Sequence, residues 1–383
     1  YIIKTSKWFS LIMPIIVLFF QDNGLSMTEI FWLKSVYSIA IVTVEIPSGY
    51  FADVIGRKRT LIIGTLLTAF GFSIYSVSFG FWQFLIAELV LGIGQSFISG
   101  ADSAMLYDSL KNENRESEYI KYEGRVISVG NFSEAAAGII GGLIAMISLR
   151  TPFIAQVVVS LISIPAALTL YEPEYSIKNR KKGFTDIFKV LKFSLIENHR
   201  LRNFILFSSL VGSATLIFAW FIQPLLIEIS LPLAMFGVVW TVLNLTAGTS
   251  SFFAHKIESM FTEKQTTGFI MVSLSAGFII TGFTISYIAL PIIFIIYLIR
   301  GMATPVLKDY VHSMIDSDIR ATVLSLRDMF IRIFFAILGP LLGWTIDNYS
   351  LKTGFISAGL IFLISGAVLY LITYYSKTSS RSS

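Results

Sequence analysis

The stretch GYFADVIGRKRTL, Gly49 to Leu61, is a short polar knot between two long apolar runs. Three consecutive cations, Arg57, Lys58 and Arg59, follow an aspartate and two glycines, and on either side the chain turns greasy again. Such a knot makes sense only if the flanking runs are buried in something other than water. The composition says what that is. Of 383 residues 55% are hydrophobic and 14% charged, with a mean hydropathy of +0.74, where soluble domains carry about a quarter charged residues. Apolar runs near twenty residues recur from end to end, the length that crosses a hydrocarbon core of about 30 Å. Lipid offers backbone amides no partners, so only helices or closed barrels span it. The runs are continuous rather than alternating, which selects helices.

Twelve spans are expected, at 5–22, 28–50, 60–79, 82–109, 122–148, 152–171, 201–227, 233–254, 266–284, 287–309, 321–346 and 353–375. The fold class is therefore an all-α membrane protein. Lys4 and Lys7, Arg57 to Arg59, Lys111, Arg115 and Lys121, the stretch from Lys178 to Arg202, Lys256, Lys264, Arg320, Lys377 and Arg381 fall on one side of the spans. The other side offers Arg150 and Lys352, with Lys34 nearby. The positive-inside rule makes the charged side cytoplasmic, with both termini there and the chain in the cytoplasmic (inner) membrane. It also explains the net charge of +5 without nucleic acid as a partner. The first run has no small-residue cleavage site behind it and reads as a retained span. There is no cysteine, hence no disulfide framework or thiolate metal site. We expect a monomer with no cofactor and no metal, and no nucleophile–base constellation points to an enzyme.

Residues 172–200 separate the sixth span from the seventh. In them NRKKG (179–183) reads as a solvated turn, and FTDIFKVLKFSLI (184–196) as an amphipathic segment on the inner membrane surface. The expected organisation is a six-helix bundle over 1–171, a cytoplasmic linker over 172–200, and a second six-helix bundle with a short tail over 201–383. Sliding the chain on itself by about 202 residues supports a duplication. Gln21 falls on Gln223, Gly49–Asp53 on Ser251–His255, Arg125 on Arg327, Asp108 beside Asp309, and Ala137–Gly142 on Gly339–Trp344. Two pseudo-symmetric bundles of this parallel kind place a substrate site near the bilayer midplane between them.

Span count, duplication and the position of the knot converge. Gly49, Asp53, Gly56, Arg57 and Lys58, between spans two and three on the charged side, resemble the signature loop of the major facilitator superfamily, a glycine, then Asp, then Gly-Arg-(Lys/Arg). The resemblance extends over the whole chain and implies secondary active transport by alternating access. The chemistry of the loop suits that use. Gly49 would let a neighbouring helix approach, and Gly56 would permit a tight turn. Asp53 can accept from the amides at a helix start, by family analogy that of span eleven near Arg320. Arg57 can pair with Asp108 at the foot of span four. Such contacts form when the cytoplasmic side is shut and break when it opens, so these residues are expected to act as a conformational latch. A plain positive-inside loop would need the cations but not Asp53 or the glycines. In the second half the same slot reads SFFAHKIESMF (251–261), with His255 in place of the Asp and no Gly-Arg pair. The latch is therefore expected in the first half alone.

Span five carries Gly124, Ser133, Ala137, Gly138, Gly141 and Gly142. The row is similar to a glycine-rich motif of exporters that exchange drug for proton, although Gly138 stands where that motif has proline. The proline appears at Pro340 in the pseudo-equivalent span. Plain helix packing uses the same small residues, and both readings stand.

An ionised side chain at mid-bilayer is costly unless paired or hydrated. The first half supplies acids: Glu45, Glu88, Asp102 and Glu134. The second supplies mostly bases, Arg300, Arg327 and Arg332, with Asp328 among them. Glu88, Gln95, Ser99 and Asp102 recur on one helical face of span four. The family's fold lines its cavity with the first and fourth spans of each half, which would turn this stripe to water and substrate. Asp102, about 10 Å from the cytoplasmic end at 1.5 Å per residue, is the favoured proton carrier, followed by Glu134, Glu45 and Glu88. An Asp paired permanently as structural glue is the alternative. Arg300, with Thr304 one turn along, would meet an anionic group of a substrate or pair with Asp102. Gln21, Asp22, Trp220 and Gln223, on the first span of each half, complete the candidate cavity, though Trp220 serves ordinary packing equally well. Asp328 and Arg332 can pair four apart along one helix, and a Glu134–Arg332 pair across a seam is a further hypothesis.

The resulting expectation is a proton-coupled antiporter for efflux of a small organic solute. Proton-coupled uptake or exchange of an organic anion is the rival within transport, favoured by Arg300 and Arg332. A lipid flippase or a non-transporting sensor on the same scaffold is the rival from another class. No Walker loop supports ATP-driven transport.

Overall fold

The computed structural model describes residues 1–172, 189–315 and 319–375. The NRKKG turn, the first part of the amphipathic segment and the tail from 376 onward lie outside the described residues. Thirteen α-helices are described: α1 (Ile2–Trp8), α2 (Ile16–Asp22), α3 (Met27–Ile55), α4 (Arg57–Val77), α5 (Phe81–Asn112), α6 (Tyr119–Ala145), α7 (Thr151–Leu168), α8 (His199–Glu228), α9 (Leu233–Glu258), α10 (Glu263–Phe283), α11 (Ala289–His312), α12 (Arg320–Asn348) and α13 (Leu351–Tyr375). No strand occurs among the described residues. Eleven of the helices, α3 to α13, are long and apolar enough to cross a membrane.

The first span departs from expectation. Hydropathy predicts one helix over 5–22, yet α1 and α2 are each seven residues long and the backbone between them is irregular. Pro14, within that stretch, has no amide to donate and disfavours helix in the residue before it. Irregular backbone at membrane depth must find its partners inside the protein. Gln156 of α7 supplies one, its Oε1 accepting the Leu11 N–H at 2.9 Å. Gly141 of α6 supplies the room, because a Cβ there would collide with the Leu11 carbonyl.

Helix starts are capped by short polar side chains. Ser26 and Glu29 form a capping box at α3, Thr262 and Gln265 form another at α10, and Asn198 accepts the Leu201 N–H at α8. A single residue, Gly56, joins α3 to α4. Its φ of +102° is a conformation that side-chain-bearing residues rarely adopt.

The chain divides into two compact units, one of Tyr1–Lys181 with Ser230–Val242, the other of Lys182–Ile229 with Leu243–Ser383. In unit 1, α5 packs on α3 and α4, and α4 on α7. Gly64 of α4 and Gly94 of α5 each face the other's carbonyl, which brings those two backbones together. Residues 230–242 belong to this unit because the start of α9 lies on α6. Gly237 there faces the Gly138 carbonyl, and Thr241 Oγ1 donates to the Ala135 carbonyl at 2.9 Å. In unit 2, α10 packs on α11 and α13, and α8 on α12 and α13. Its interior is rich in rings: Phe218 and Phe221 both meet Phe278 and Phe355 edge to face, with centroids 4.9 to 6.1 Å apart.

Candidate functional site

α3 runs through the polar knot to Ile55, Gly56 turns the chain, and α4 begins at Arg57. The first amides of α4 are taken by Glu172, from beyond the end of α7, with Arg57 N–H donating to Oε1 at 2.7 Å and Lys58 N–H to Oε2 at 2.8 Å. A carboxylate at a helix start satisfies orphan donors and the helix dipole together. Arg57 Nε lies 2.6 Å from Asp108 Oδ2 at the foot of α5, and an Arg57 terminal nitrogen lies 3.9 Å from Asp53 Oδ1. The Arg57–Asp108 contact is a charge contact off the hydrogen-bonding line. Asp108 is buried, whereas Asp53 is exposed. The structure thus brings Asp53, Gly56, Arg57, Lys58 and Asp108 together and adds Glu172, which no sequence motif marks. Gly49 differs from its expected role. No atom lies within 4 Å of a Cβ built on it, so it accommodates no close neighbour.

Asp102 takes its cations from α1 of its own unit. Lys4 Nζ lies 2.7 Å from Oδ2 and Lys7 Nζ 3.6 Å. Its other oxygen accepts the Ser103 N–H at 2.7 Å, and Ser103 Oγ donates to Glu123 at 3.0 Å.

Glu88 leaves the stripe expected on α5. It is 1% exposed and receives on one oxygen both the Lys34 ammonium from α3 and the Tyr75 hydroxyl from α4. The rings of Phe20, Phe84 and Phe153 pack against Tyr75, and Lys34 lies over the Phe20 ring at 5.2 Å. Contact with two neighbouring helices, rather than with water, explains its position. Gln95 and Asp102 are half-buried and Ser99 is exposed. An ammonium and a hydroxyl meeting on one buried carboxylate oxygen make the arrangement of a standing ion pair. Lys34 had a sequence signal of its own. It and Glu88 each lie seven residues past the first residue of α3 and α5, helices that run in the same direction and so hold the two at equal depth.

Arg150, which the sequence shows only as an outlying loop cation, is a brace. It donates to the Ser76 and Ser78 carbonyls at 2.9 and 2.8 Å and to Asn23 Oδ1 at 3.0 Å, and it stacks on Phe79 at 4.0 Å. Burial lowers its proton affinity, and the Asp22 carboxylate raises it. Glu45, Glu134 and Gln21 are half-buried, and Asp22 is exposed.

In unit 2 Gln223 is buried, Trp220 half-buried and Thr304 exposed. Asp328 pairs with the residue before it, Arg327, at 2.9 Å, rather than with Arg332 four residues on. The reason is burial. Arg327 is 2% exposed, and inside the unit it holds Ser208 Oγ at 2.5 Å and Asp328. Arg300 donates to the Tyr297 hydroxyl at 2.9 Å and lies 4.9 Å over that ring.

The glycines of α6 serve two neighbours. Gly130 and Gly141 face Trp8 and Leu11 at the broken first span, while Gly138 and Gly142 face Thr241 and Gly237 of α9.

A family model described as Major Facilitator Superfamily matches residues 8–334. The chain is 26% identical over 189 residues to Multidrug resistance protein 1 of Bacillus subtilis, 48% of each chain. It is 31% identical over 148 residues to Multidrug resistance protein MdtG of a Rahnella species, 37% of this chain and 34% of that one. The chain thus spans half or less of the length of these curated relatives. The crystal structure of nucleoside transporter NupG superposes with a TM-score of 0.79 at 16% identity, over 97% of this chain and 96% of that one. At that identity the likeness is one of fold.

Proposed function

We propose that this chain, which belongs to the major facilitator superfamily, exports a small organic solute in exchange for protons by alternating access. The carrying observation is Asp102 between Lys4 and Lys7. With Asp102 ionised, α1 is tied to α5. With a proton on Asp102, the negative charge that draws both ammonium groups of this short helix is lost, so proton binding opposes docking of α1. The irregular stretch after α1 is where the backbone can give. Proton entry therefore releases α1, and its exit restores the tie. Glu45 and Glu134 are the other proton sites in this scheme. Arg57, Asp108, Asp53, Gly56, Lys58 and Glu172 hold the cytoplasmic foot of unit 1. Gln21, Asp22, Gln95, Ser99, Trp220 and Gln223 are the side chains offered to substrate. The names of the multidrug resistance relatives support export. The protein acts as a monomer in the cytoplasmic membrane, with both termini inside.

The test is proton movement in inverted vesicles, followed with a quenched pH dye while lipophilic cations and neutral drugs are added. Wild type should release protons on addition of substrate, and Asp102→Asn should not. Release that persists in the variant would move the proton to Glu45 or Glu134. Silence from both proteins would overturn drug export.

Arg300 favours a second reading, transport of an organic anion. Among the described residues it pairs with Tyr297 and with no carboxylate. Organic anions in the same assay, with Arg300→Gln beside wild type, decide between the two.

A further inference from the structure

We propose that Glu258 and Tyr310 form a second positioning pair, the unit-2 counterpart of Arg57 and Asp108; the proposal rests on the alternating-access reading. The register is set by a contact independent of the knot. Ser48 Oγ donates to the Ser96 carbonyl at 3.0 Å, and Ser250 Oγ donates to the Leu298 carbonyl at 2.5 Å. Both members of the second bond stand 202 positions after those of the first. The same step carries Asp108 to Tyr310 and Glu172 to Tyr374, and it carries Gly56, the neighbour of Arg57, to Glu258.

Unit 2 makes contacts at these places with the chemistry changed. The Tyr310 hydroxyl donates to Glu258 Oε1 at 2.8 Å, joining the foot of α11 to the end of α9. Arg57 joins the foot of α5 to the start of α4 in the same way. The Tyr374 hydroxyl donates to Glu263 Oε1 at 3.1 Å in the first turn of α10, where Glu172 takes the first amides of α4 in unit 1. Phe204 of α8 stands edge-on to both tyrosines, with centroids 6.0 and 6.1 Å away, and so fixes both rings.

The pair escapes a search for the motif because its polarity is reversed. In unit 1 the cation belongs to the turn and the carboxylate to the helix foot. In unit 2 the carboxylate belongs to the turn and a neutral hydroxyl to the helix foot. Loss of Gly-Arg from 251–261 therefore changes the chemistry of the position without emptying it. A hydroxyl–carboxylate contact is a charge-assisted hydrogen bond that needs one charge where the Arg57–Asp108 contact needs two.

The chain has no cysteine, so a single reporter thiol can be placed at Thr304→Cys, about 9 Å along α11 from Tyr310. Inverted vesicles would be labelled with a membrane-impermeant maleimide, which needs neither substrate nor proton flux. Tyr310→Phe and Glu258→Gln should each speed labelling by about tenfold, the factor one hydrogen bond to a charged group is worth. Combining them should add nothing further, and Asp108→Asn should also accelerate labelling. Multiplied effects in the double variant would mean the two residues act separately, and would overturn the pair. So would a fall in thermal midpoint with unchanged labelling, which marks a purely structural bond. If Asp108→Asn alone accelerates labelling, the pair fails and alternating access stands. If no variant does, both fail.

Discussion

Lys34 on α3 and Glu88 on α5 form an ion pair closed off by rings, and the positions one repeat on carry no charged counterpart to it. A step of 202 residues carries Lys34 to Phe236, Tyr75 to Gly277 and Glu88 to Leu290. Phe236 and Gly277 are buried, and Gly277 admits Ile296 of α11 against α10. None of the three positions carries a charge, so the repeat does not copy the ion pair. Breaking a buried pair from one side costs about 3–5 kcal/mol, whereas replacing both partners by apolar groups is often neutral. Glu88→Gln should therefore lower thermal stability in detergent strongly, and Lys34→Met/Glu88→Leu should recover most of the loss. A double variant as unstable as the single one would show that the charges do something packing cannot replace.

Gly56 and Glu172 make a linked prediction. A Cβ at position 56 would stand 2.8 Å from Glu172 Oε2, and the backbone there has a φ of +102°. Gly56→Ala should cost about 1–3 kcal/mol from strain and should also displace the carboxylate that caps α4. Glu172→Gln keeps the shape but weakens the cap, at a cost of about 1 kcal/mol. In the double variant the costs should fall short of their sum, because the displaced cap is already weakened. Thermal midpoints of the three proteins check this, and full additivity would separate the two residues.

The helix order and the Arg57–Asp108 cluster could be read from local signals: hydropathy over twenty residues and one motif. What could not be read depends on partners distant in the chain. The break after α1 needs Gln156 and Gly141 as well as Pro14, and hydropathy reports only that the segment is apolar. Glu172 caps α4 from 115 residues away. Asp328 prefers its neighbour Arg327 because Arg327 is buried, which a four-residue spacing cannot reveal. Tyr310 carries no charge, and a neutral residue at a helix foot gives no sign in the sequence of the carboxylate it meets 52 residues away.

The glycines should separate by what lies in front of them. Gly49 faces open space on a helix, so Gly49→Ala should leave the fold intact and stabilise it by about 1 kcal/mol through helix propensity. Gly141 and Gly237 face backbone, the carbonyls of Leu11 and Gly138, which cannot turn aside. Alanine at either should cost about 1–3 kcal/mol by overpacking. Gly138 faces the Thr241 hydroxyl, a side-chain atom able to rotate, and should fall between. The rank order of the four thermal midpoints is the measurement. A loss at Gly49 as large as that at Gly237 would mean that another surface meets α3 there.

Arg327 and Arg332 offer the sharpest contrast within one helix. Arg327 is almost wholly buried and holds Asp328, whose own side chain is 48% exposed. Exposure of one partner screens the pair, so Asp328→Asn should cost about 1–2 kcal/mol, below the figure for a fully enclosed pair. Arg327→Gln should cost more, since it also removes the hydrogen bond to Ser208 and leaves a void among α8 and α12. Arg332→Gln should change stability by less than about 0.5 kcal/mol. Each charge is thereby tested against its partner by thermal unfolding in detergent. If Arg332→Gln instead matches Asp328→Asn, and the two are non-additive together, then the four-residue pairing holds Asp328 and the contact with Arg327 is incidental.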